Sequence, residues 1–376
     1  MPWGGLAATD MATHFHSLTV KRVTPDAAGS AAITFEVPPG LRAAFDFQPG
    51  QFLTLRATID GQDTRRSYSI CSPHQRYLQA GELDVGIKPV AGGVFSPWAL
   101  AELAPGRCIE VMPPDGRFTP RLAGARHRVG FAAGSGITPM LSIIASTLAS
   151  QPDASFTLAY SNQRVNSIMF NEALQDLKDR YPARLTLLHL LSRQPQEVAL
   201  LQGRLDETKV AELLRSVVPV DGIDEAFICG PAGMIEDTQR ALLAAGLGPE
   251  RIHSERFFAA GSAVAPEKIA NNDLRTRGFA TSGSETRLDV VLDGKTHQLA
   301  LQAGALVLDA ALDAGLDLPY ACRGGVCCTC RARVLEGKVE MERNFTLEPW
   351  EMDKGFVLTC QARALTPHVV VSFDER

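Results

Sequence analysis

The sequence predicts a multidomain chain: an antiparallel β-barrel, then an α/β domain on a parallel sheet, then a small α+β domain. Three observations predict it. Residues 14–122 hold short strand-like runs broken by turn residues, and residues 123–258 alternate strand-length apolar runs with amphipathic helical patterns. Residues 286–376 gather five of the chain's eight cysteines, at 322, 327, 328, 330 and 360. A length of 376 residues leaves room for two or three domains of ordinary size.

Composition bounds the reading. Hydrophobic residues make up 45% and charged residues 21%, as in a soluble globular protein. A net charge of −5 with no polybasic block argues against nucleic acid as a partner. The opening MPWGGLAATD has no basic segment followed by an apolar run, so no secretory signal is expected and a cytoplasmic location is. Met11 opens a second plausible start, which makes residues 1–10 a tail or an early start. The stretch between Arg128 and Asp153 carries no charge and imitates a membrane span. Its GFAAGSGITPM holds three glycines and a proline, however, and a strand, a glycine turn and a helix suit them better. No membrane segment is expected. Without a secretory signal, the cysteines read as metal ligands or buried thiols rather than disulfides.

Six runs in the first region combine β-formers with Gly, Pro or Asp at their ends: FHSLTVKRVTP, AAITFEVP, QFLTLRATIDGQ, RSYSICS, GELDVGIKPV and RCIEVMPPDGRF. Asp60-Gly61 is a hairpin signal. Six strands at this spacing predict the barrel. In the second region HRVGFAAG, SFTLAYSN, LTLLHLLS and DEAFICG have strand length. Between them SIMFNEALQDLKDRY and MIEDTQRALLAAG have helical periodicity, which predicts a parallel sheet. Residues 259–285 show no sustained period and read as a linker. As a flexible coil it reaches roughly 25–30 Å, enough to let the last domain turn. The third region opens with the strands TRLDVVLD and THQLALQ, joined through Asp293-Gly294, and continues with the helix VLDAALDAG and the cysteine loop.

The cysteine spacing is C-x4-C-x2-C at Cys322, Cys327 and Cys330, with Cys360 after 29 intervening residues. An iron–sulfur cluster needs soft thiolates on a loop that wraps the sulfides, and this spacing is that of a plant-type [2Fe–2S] centre. The glycines of RGGV let backbone N–H groups approach the sulfurs. Zinc sites more often use two short pairs. Cys328 fits no ligand position and reads as a non-ligand thiol. From Pro319 to Ala362 the segment resembles the plant-type ferredoxins, which implies a β-grasp fold.

Arg66-Ser67-Tyr68-Ser69 resembles the R-x-Y-S signature of the ferredoxin–NADP reductase superfamily. The resemblance implies a bound FAD, with Arg66 on a phosphate, Tyr68 over one isoalloxazine face and Ser69 at N5. Taken alone, the four residues also suit an ordinary exposed strand. Gly92-Gly93-Val94-Phe95-Ser96 lies where the family places its phosphate-binding loop, ahead of the helical WALAEL, and a helix N-terminus favours anions. This implies flavin contacts at Gly93, Val94, Phe95 and Ser96, and backbone contacts to the ribityl chain at Ile87 and Lys88. In Glu255-Arg256-Phe257 the family places an aromatic on the other flavin face. Phe257 is the candidate, Phe258 competes with it, and either would also serve as a core residue.

Gly134-Ser135-Gly136-Ile137-Thr138-Pro139 follows a strand and precedes a helix, with Pro139 expected as its first residue. Glycines let the backbone approach a pyrophosphate, so Gly134, Gly136 and Thr138 are candidate nicotinamide-dinucleotide contacts. Cys229-Gly230-Pro231 with Met234 resembles the family's C-G-P-x-x-M, whose thiol faces the nicotinamide; a buried strand-end thiol is the plainer alternative. The resemblance implies Ser69, Cys229 and Glu255 as the catalytic residues. Arg164, Ser192 and Arg193 end strands where a 2′-phosphate would bind, which favours NADPH over NADH.

Flavin barrel, nucleotide domain and ferredoxin domain in this order resemble the reductase components of multicomponent oxygenases. The likeness is strongest to reductases of ring 1,2-epoxidase systems that act on an aromatic CoA thioester. It implies a di-iron oxygenase complex as electron acceptor, with electrons passing from nicotinamide to flavin to cluster. The alternatives are a reductase for another aromatic or steroid oxygenase, a stand-alone quinone or oxygen reductase, and a non-enzymatic electron carrier or redox sensor.

Overall fold

The computed structural model describes residues 14–257 and 286–375. The expected tail, the expected linker and Phe258 lie outside the described residues. The chain falls into two compact units, divided between Phe257 and Phe258.

The first unit opens with six strands: β1 (His16–Pro25), β2 (Ala31–Glu36), β3 (Phe52–Ile59), β4 (Gln62–Ser69), β5 (Glu82–Ile87) and β6 (Cys108–Val111). They pair antiparallel in the order β4-β3-β6-β1-β2-β5. A bridge between Ile70 and Val85 joins the two ends and closes the barrel. Period-two alternation sends Leu18, Val20, Ile33, Phe35, Leu53 and Leu55 inward, where they are fully buried. Asp60 and Gly61 take left-handed φ values of 51° and 76° in the β3–β4 turn, as the Asp-Gly pair predicts. Two helices interrupt the barrel. Helix α1 (His74–Ala80) is not among the expected elements, and α2 (Phe95–Glu102) begins three residues ahead of the expected WALAEL.

Five parallel strands follow: β7 (His127–Ala133), β8 (Ser155–Asn162), β9 (Leu185–Leu191), β10 (Glu225–Gly230) and β11 (Ile252–Arg256). Their order is β11-β10-β7-β8-β9. Helices α3 (Ile137–Ser150), α4 (Asn171–Arg180), α5 (Glu207–Ser216) and α6 (Ala232–Ala244) connect or flank them. The uncharged stretch that imitates a membrane span is β7 and α3. The helix is apolar because the barrel covers it: Ser142 Oγ donates to Ser72 O at 2.8 Å, and His74 N donates to Ser146 Oγ at 3.0 Å. Pro139 is the third residue of α3, not the first, but still in the turn where its missing N–H costs nothing. Helix α4 starts later than its periodicity suggests because Phe170 takes a left-handed φ of 60°, its N–H donating to Asp26 Oδ2 of the barrel at 2.8 Å. Strand β5 runs close beside the nucleotide domain. A Cβ on Gly86 would fall 2.5 Å from Thr138 Cγ2 and 2.9 Å from Phe170 Cε2.

A buried ion pair fastens the segment between the barrel and the sheet. Arg128 Nε donates to Glu225 Oε2 at 2.8 Å, while Glu225 Oε1 accepts the N–H groups of Arg121 and Leu122 at 2.7 and 3.1 Å. His253 Nε2 lies 3.2 Å from the same oxygen.

The second unit contains β12 (Thr286–Leu292), β13 (Lys295–Leu301), β14 (Arg331–Glu336), β15 (Val339–Met341), β16 (Phe356–Leu358), β17 (Ala362–Ala364) and β18 (His368–Ser372), with α7 (Val307–Asp313) and α8 (Pro349–Asp353). Five strands form a mixed sheet in the order β13-β12-β18-β14-β16, with β12 and β18 parallel; β15 and β17 pair separately. Helix α7 packs Val307, Leu308 and Ala311 onto Leu288, Val290, Val369 and Val371 of the sheet, the arrangement of a β-grasp.

Candidate functional site

Alternation along β4 sets up the first part of the site. Arg66 is exposed and donates one N–H to Arg65 O at 2.7 Å. Tyr68 is half-buried, its ring 5.9 Å from that of Phe95. Burial holds its phenol well above the usual range, so it stays neutral. Ser69 is buried. Phe95 opens α2, whose first turn has no acidic residue and no side-chain cap, a donor set suited to a phosphate. Ser96 Oγ instead accepts the Val90 N–H at 3.0 Å and folds the loop back, with Gly92 at φ 71°. Ile87 is fully buried and paired with Ala31. Lys88 stands beside Gly134, where a Cβ would lie 3.9 Å from its Nζ.

The glycine turn of the nucleotide domain is fixed by contact. Gly134 has φ 53°, and its carbonyl accepts the Tyr160 hydroxyl at 2.8 Å. A Cβ on Gly136 would fall 2.1 Å from the Cys229 carbonyl oxygen, so only glycine lets the turn meet β10. Thr138 Oγ1 donates to Ser135 O at 3.0 Å. Helix α3 also starts without an acid or a side-chain cap. A Cβ on Gly230 would fall 2.6 Å from Met234 Cε, so Cys229-Gly230-Pro231 and Met234 form one packed corner at the start of α6.

The two motifs meet at Glu255. Cys229 and Glu255 are register partners on β10 and β11, and Ser69 Oγ donates to Glu255 Oε2 at 3.2 Å. Burial pushes the Glu255 carboxyl up to about 8, against the pull of the Ser69 hydroxyl. Burial, with the charge of Glu255 adding to it, pushes the Cys229 thiol well above its usual value. Both shifts favour the protonated forms. Phe257 follows on the surface, 38% exposed.

Arg164, Ser192 and Arg193 are also brought together. The Ser192 and Arg193 N–H groups donate to Asn162 O and Gln163 O, each at 2.9 Å. Gln194 Oε1 accepts the Val165 N–H at 3.1 Å and clasps the two loops; no sequence signal marks it.

In the second unit the four cysteine sulfurs fall into pairs. Cys322 and Cys327 exchange N–H···S bonds of 3.4 Å, and the thiols of Cys330 and Cys360 are hydrogen-bonded to each other. Cys322 disfavours the charged form of Cys360, and Cys327 that of Cys330, so the two pairs lie close enough to repel as thiolates. Two pairs of sulfurs suit two irons, each taking two thiolates. Gly324 N–H donates to Cys322 Sγ at 3.3 Å, and Thr359 N–H and Oγ1 both donate to Cys330 O. Cys328 points elsewhere: its φ is 59° and its thiol donates to Thr346 Oγ1 at 3.4 Å. Among the described residues no helix is long and apolar enough to cross a membrane.

Comparison with known proteins matches these parts in order. An oxidoreductase FAD-binding domain matches residues 19–119, an oxidoreductase NAD-binding domain residues 131–240, and a 2Fe-2S iron-sulfur cluster binding domain residues 290–365. The chain is 45% identical to a component of the 1,2-phenylacetyl-CoA epoxidase of Escherichia coli (strain K12), across 97% of this chain and 99% of that protein. It is 34% identical to the ferredoxin reductase component of 3-ketosteroid-9-alpha-monooxygenase of Rhodococcus rhodochrous, across 95% and 96%. Among solved structures, phthalate dioxygenase reductase shares the fold with a TM-score of 0.56 at 21% identity, across 96% of this chain and 98% of that one.

Proposed function

This chain belongs to the family of oxygenase reductases that join FAD-binding, NAD-binding and 2Fe-2S domains, and from that premise we propose that it carries electrons from NADPH to the di-iron oxygenase of a phenylacetyl-CoA epoxidase in phenylacetate degradation. Bound FAD supplies the exchange between two-electron and one-electron transfer that a nicotinamide and an iron–sulfur cluster need between them. The tasks of the chain's own residues are separable. Arg66 and the start of α2 hold the flavin phosphates. Tyr68 lines one flavin face and Phe257 the other. Ser69, oriented by Glu255, hydrogen-bonds at N5, and Cys229 borders the nicotinamide. Gly134, Gly136 and Thr138 bring the open start of α3 to the pyrophosphate. Cys322, Cys327, Cys330 and Cys360 ligate the two irons.

One observation supports this reading above others: Ser69 Oγ donates to Glu255 Oε2 and Cys229 is the register partner of Glu255, so the residues proposed for flavin and nicotinamide share one carboxyl. NADPH is favoured because Arg164, Ser192 and Arg193 stand on adjoining loops, and cations with a hydroxyl suit a 2′-phosphate. Stopped-flow reduction by NADPH and by NADH, followed by reconstitution with purified oxygenases, tests both parts. NADPH should reduce the flavin at lower concentration, and epoxidation of phenylacetyl-CoA should follow. Equal use of NADH would remove the coenzyme preference. Turnover with a steroid monooxygenase alone would favour the second reading, toward which the 34%-identical relative points.

A further inference from the structure

Gln361 is a buried amide, 5% exposed, directly after the last cysteine of the cluster motif. Its Nε2 lies 3.6 Å from Cys360 Sγ, 2.7 Å from Cys360 O and 3.1 Å from Arg323 O. The backbone holds it on both sides: Gln361 N donates to Leu358 O at 2.8 Å, and Gln361 O accepts Glu342 N–H at 2.9 Å. Its Cγ packs on Gly325, where a Cβ would lie 3.3 Å away. The amide is therefore clamped between the strand-end cysteine and the loop that carries Cys322 and Cys327. The sulfurs of Cys322 and Cys327 take main-chain donors, and Cys360 takes one from the Gly325 backbone and one from the Gln361 side chain, of which substitution can remove the second.

We propose that Gln361 raises the reduction potential of the [2Fe–2S] cluster by donating a side-chain N–H to the Cys360 sulfur. The proposal rests on the reading of Cys360 as an iron ligand. One-electron reduction adds negative charge to the ligating sulfurs, so an N–H dipole aimed at a sulfur stabilises the reduced state more than the oxidised one. Burial strengthens the effect, because no water competes for the sulfur or screens the dipole. The amide thus makes the cluster a better acceptor from the flavin and a weaker donor to the oxygenase. One N–H goes to Arg323 O and fixes the amide plane, and the other is shared between Cys360 O and Cys360 Sγ, which keeps it on the sulfur's side.

The test uses the full chain. Wild type and Gln361→Met, close in length but without a donor, are compared by iron and sulfide content and by electron paramagnetic resonance. Their flavin and cluster midpoint potentials are then measured in dye-equilibrated titrations. The cluster potential should fall in Gln361→Met while the flavin potential stays put. An unchanged cluster potential in a loaded variant overturns the proposal, and so does an equal shift of both centres. If Gln361→Met fails to load, wild type labelled with 15N in its glutamine side chains decides by pulsed resonance of the reduced cluster. A coupling to a side-chain nitrogen supports the proposal, and its absence overturns it. Wild type lacking iron and sulfide would overturn the ligand reading and the tuning with it, so iron content tells the two failures apart.

Discussion

Ser69 and Glu255, 186 residues apart in the chain, meet in a 3.2 Å hydrogen bond between hydroxyl and carboxyl. The bond ties the end of a barrel strand to the edge strand of the parallel sheet. Through the β10–β11 register it also sets the Ser69 hydroxyl near Cys229.

The pH dependence of folding reports the state of this carboxyl. Glu255 titrates at about 8 in the folded chain and near 4.5 when unfolded. The folded state therefore binds the extra proton between those values, and the stability it contributes is full below 4.5 and lost as pH rises through 8. Thermal melts of flavin-free protein should show Tm falling across this window, and Glu255→Gln should flatten the fall. Equal slopes for the two proteins would refute a protonated Glu255.

The Arg128–Glu225 pair behaves in the opposite sense. Burial alone would raise the Glu225 carboxyl, but hydrogen bonds from His253, the Arg121 N–H, Arg128 and the Leu122 N–H outweigh it and hold it at about 2. Its stabilisation is present above 4.5 and is lost as pH falls toward 2. Arg128→Met leaves a buried carboxylate without its cation, at a cost of about 3–5 kcal/mol by urea unfolding. The double variant Arg128→Met/Glu225→Leu should recover part of that loss.

Cys322→Ser should lose the visible absorbance of the cluster yet keep NAD(P)H-to-dye reduction through the flavin. The cysteine belongs to the compact unit beyond Phe257, and the flavin and nucleotide motifs belong to the other. Loss of both activities would contradict that division.

Gly136→Ala places a Cβ 2.1 Å from the Cys229 carbonyl, so the glycine turn or the end of β10 must move. Overpacking of this kind costs about 1–3 kcal/mol. KM for the nicotinamide dinucleotide should rise while FAD content stays at the wild-type level. Unaltered coenzyme kinetics would mean that the turn does not set the dinucleotide's position.

The parts legible in the sequence are those with local causes. Asp60-Gly61 announces its turn, alternation in β1 to β3 announces the barrel, and the cysteine spacing announces the cluster. Helix α1 gives no such signal: seven residues bury only Tyr77, so no stripe marks it. Strand β11 buries His253 and half-buries Ile252, Glu255 and Arg256, a pattern without a two-residue period, and its place at the sheet edge comes from pairing with β10. Helix α5 does carry a stripe, Val210, Leu213 and Leu214, with Asp206 as its cap, and sequence reading could have found it. Gln194 and Gln361 act on backbone or sulfur atoms set beside them by the fold or by the neighbouring residue, and residue type alone does not reveal such contacts. The start of α4 is displaced by Asp26, which lies 144 residues away.

Gly86 bears on how such a chain can change over generations. Any side chain there would run into Thr138 and Phe170, so the barrel and the parallel sheet are cut to each other's surface. A recombination that exchanged one of the two sheets for a foreign counterpart would break this fit unless Gly86 or its neighbours changed with it. At this contact the two sheets form a matched pair, and an exchange of one would call for a second change at Gly86, Thr138 or Phe170.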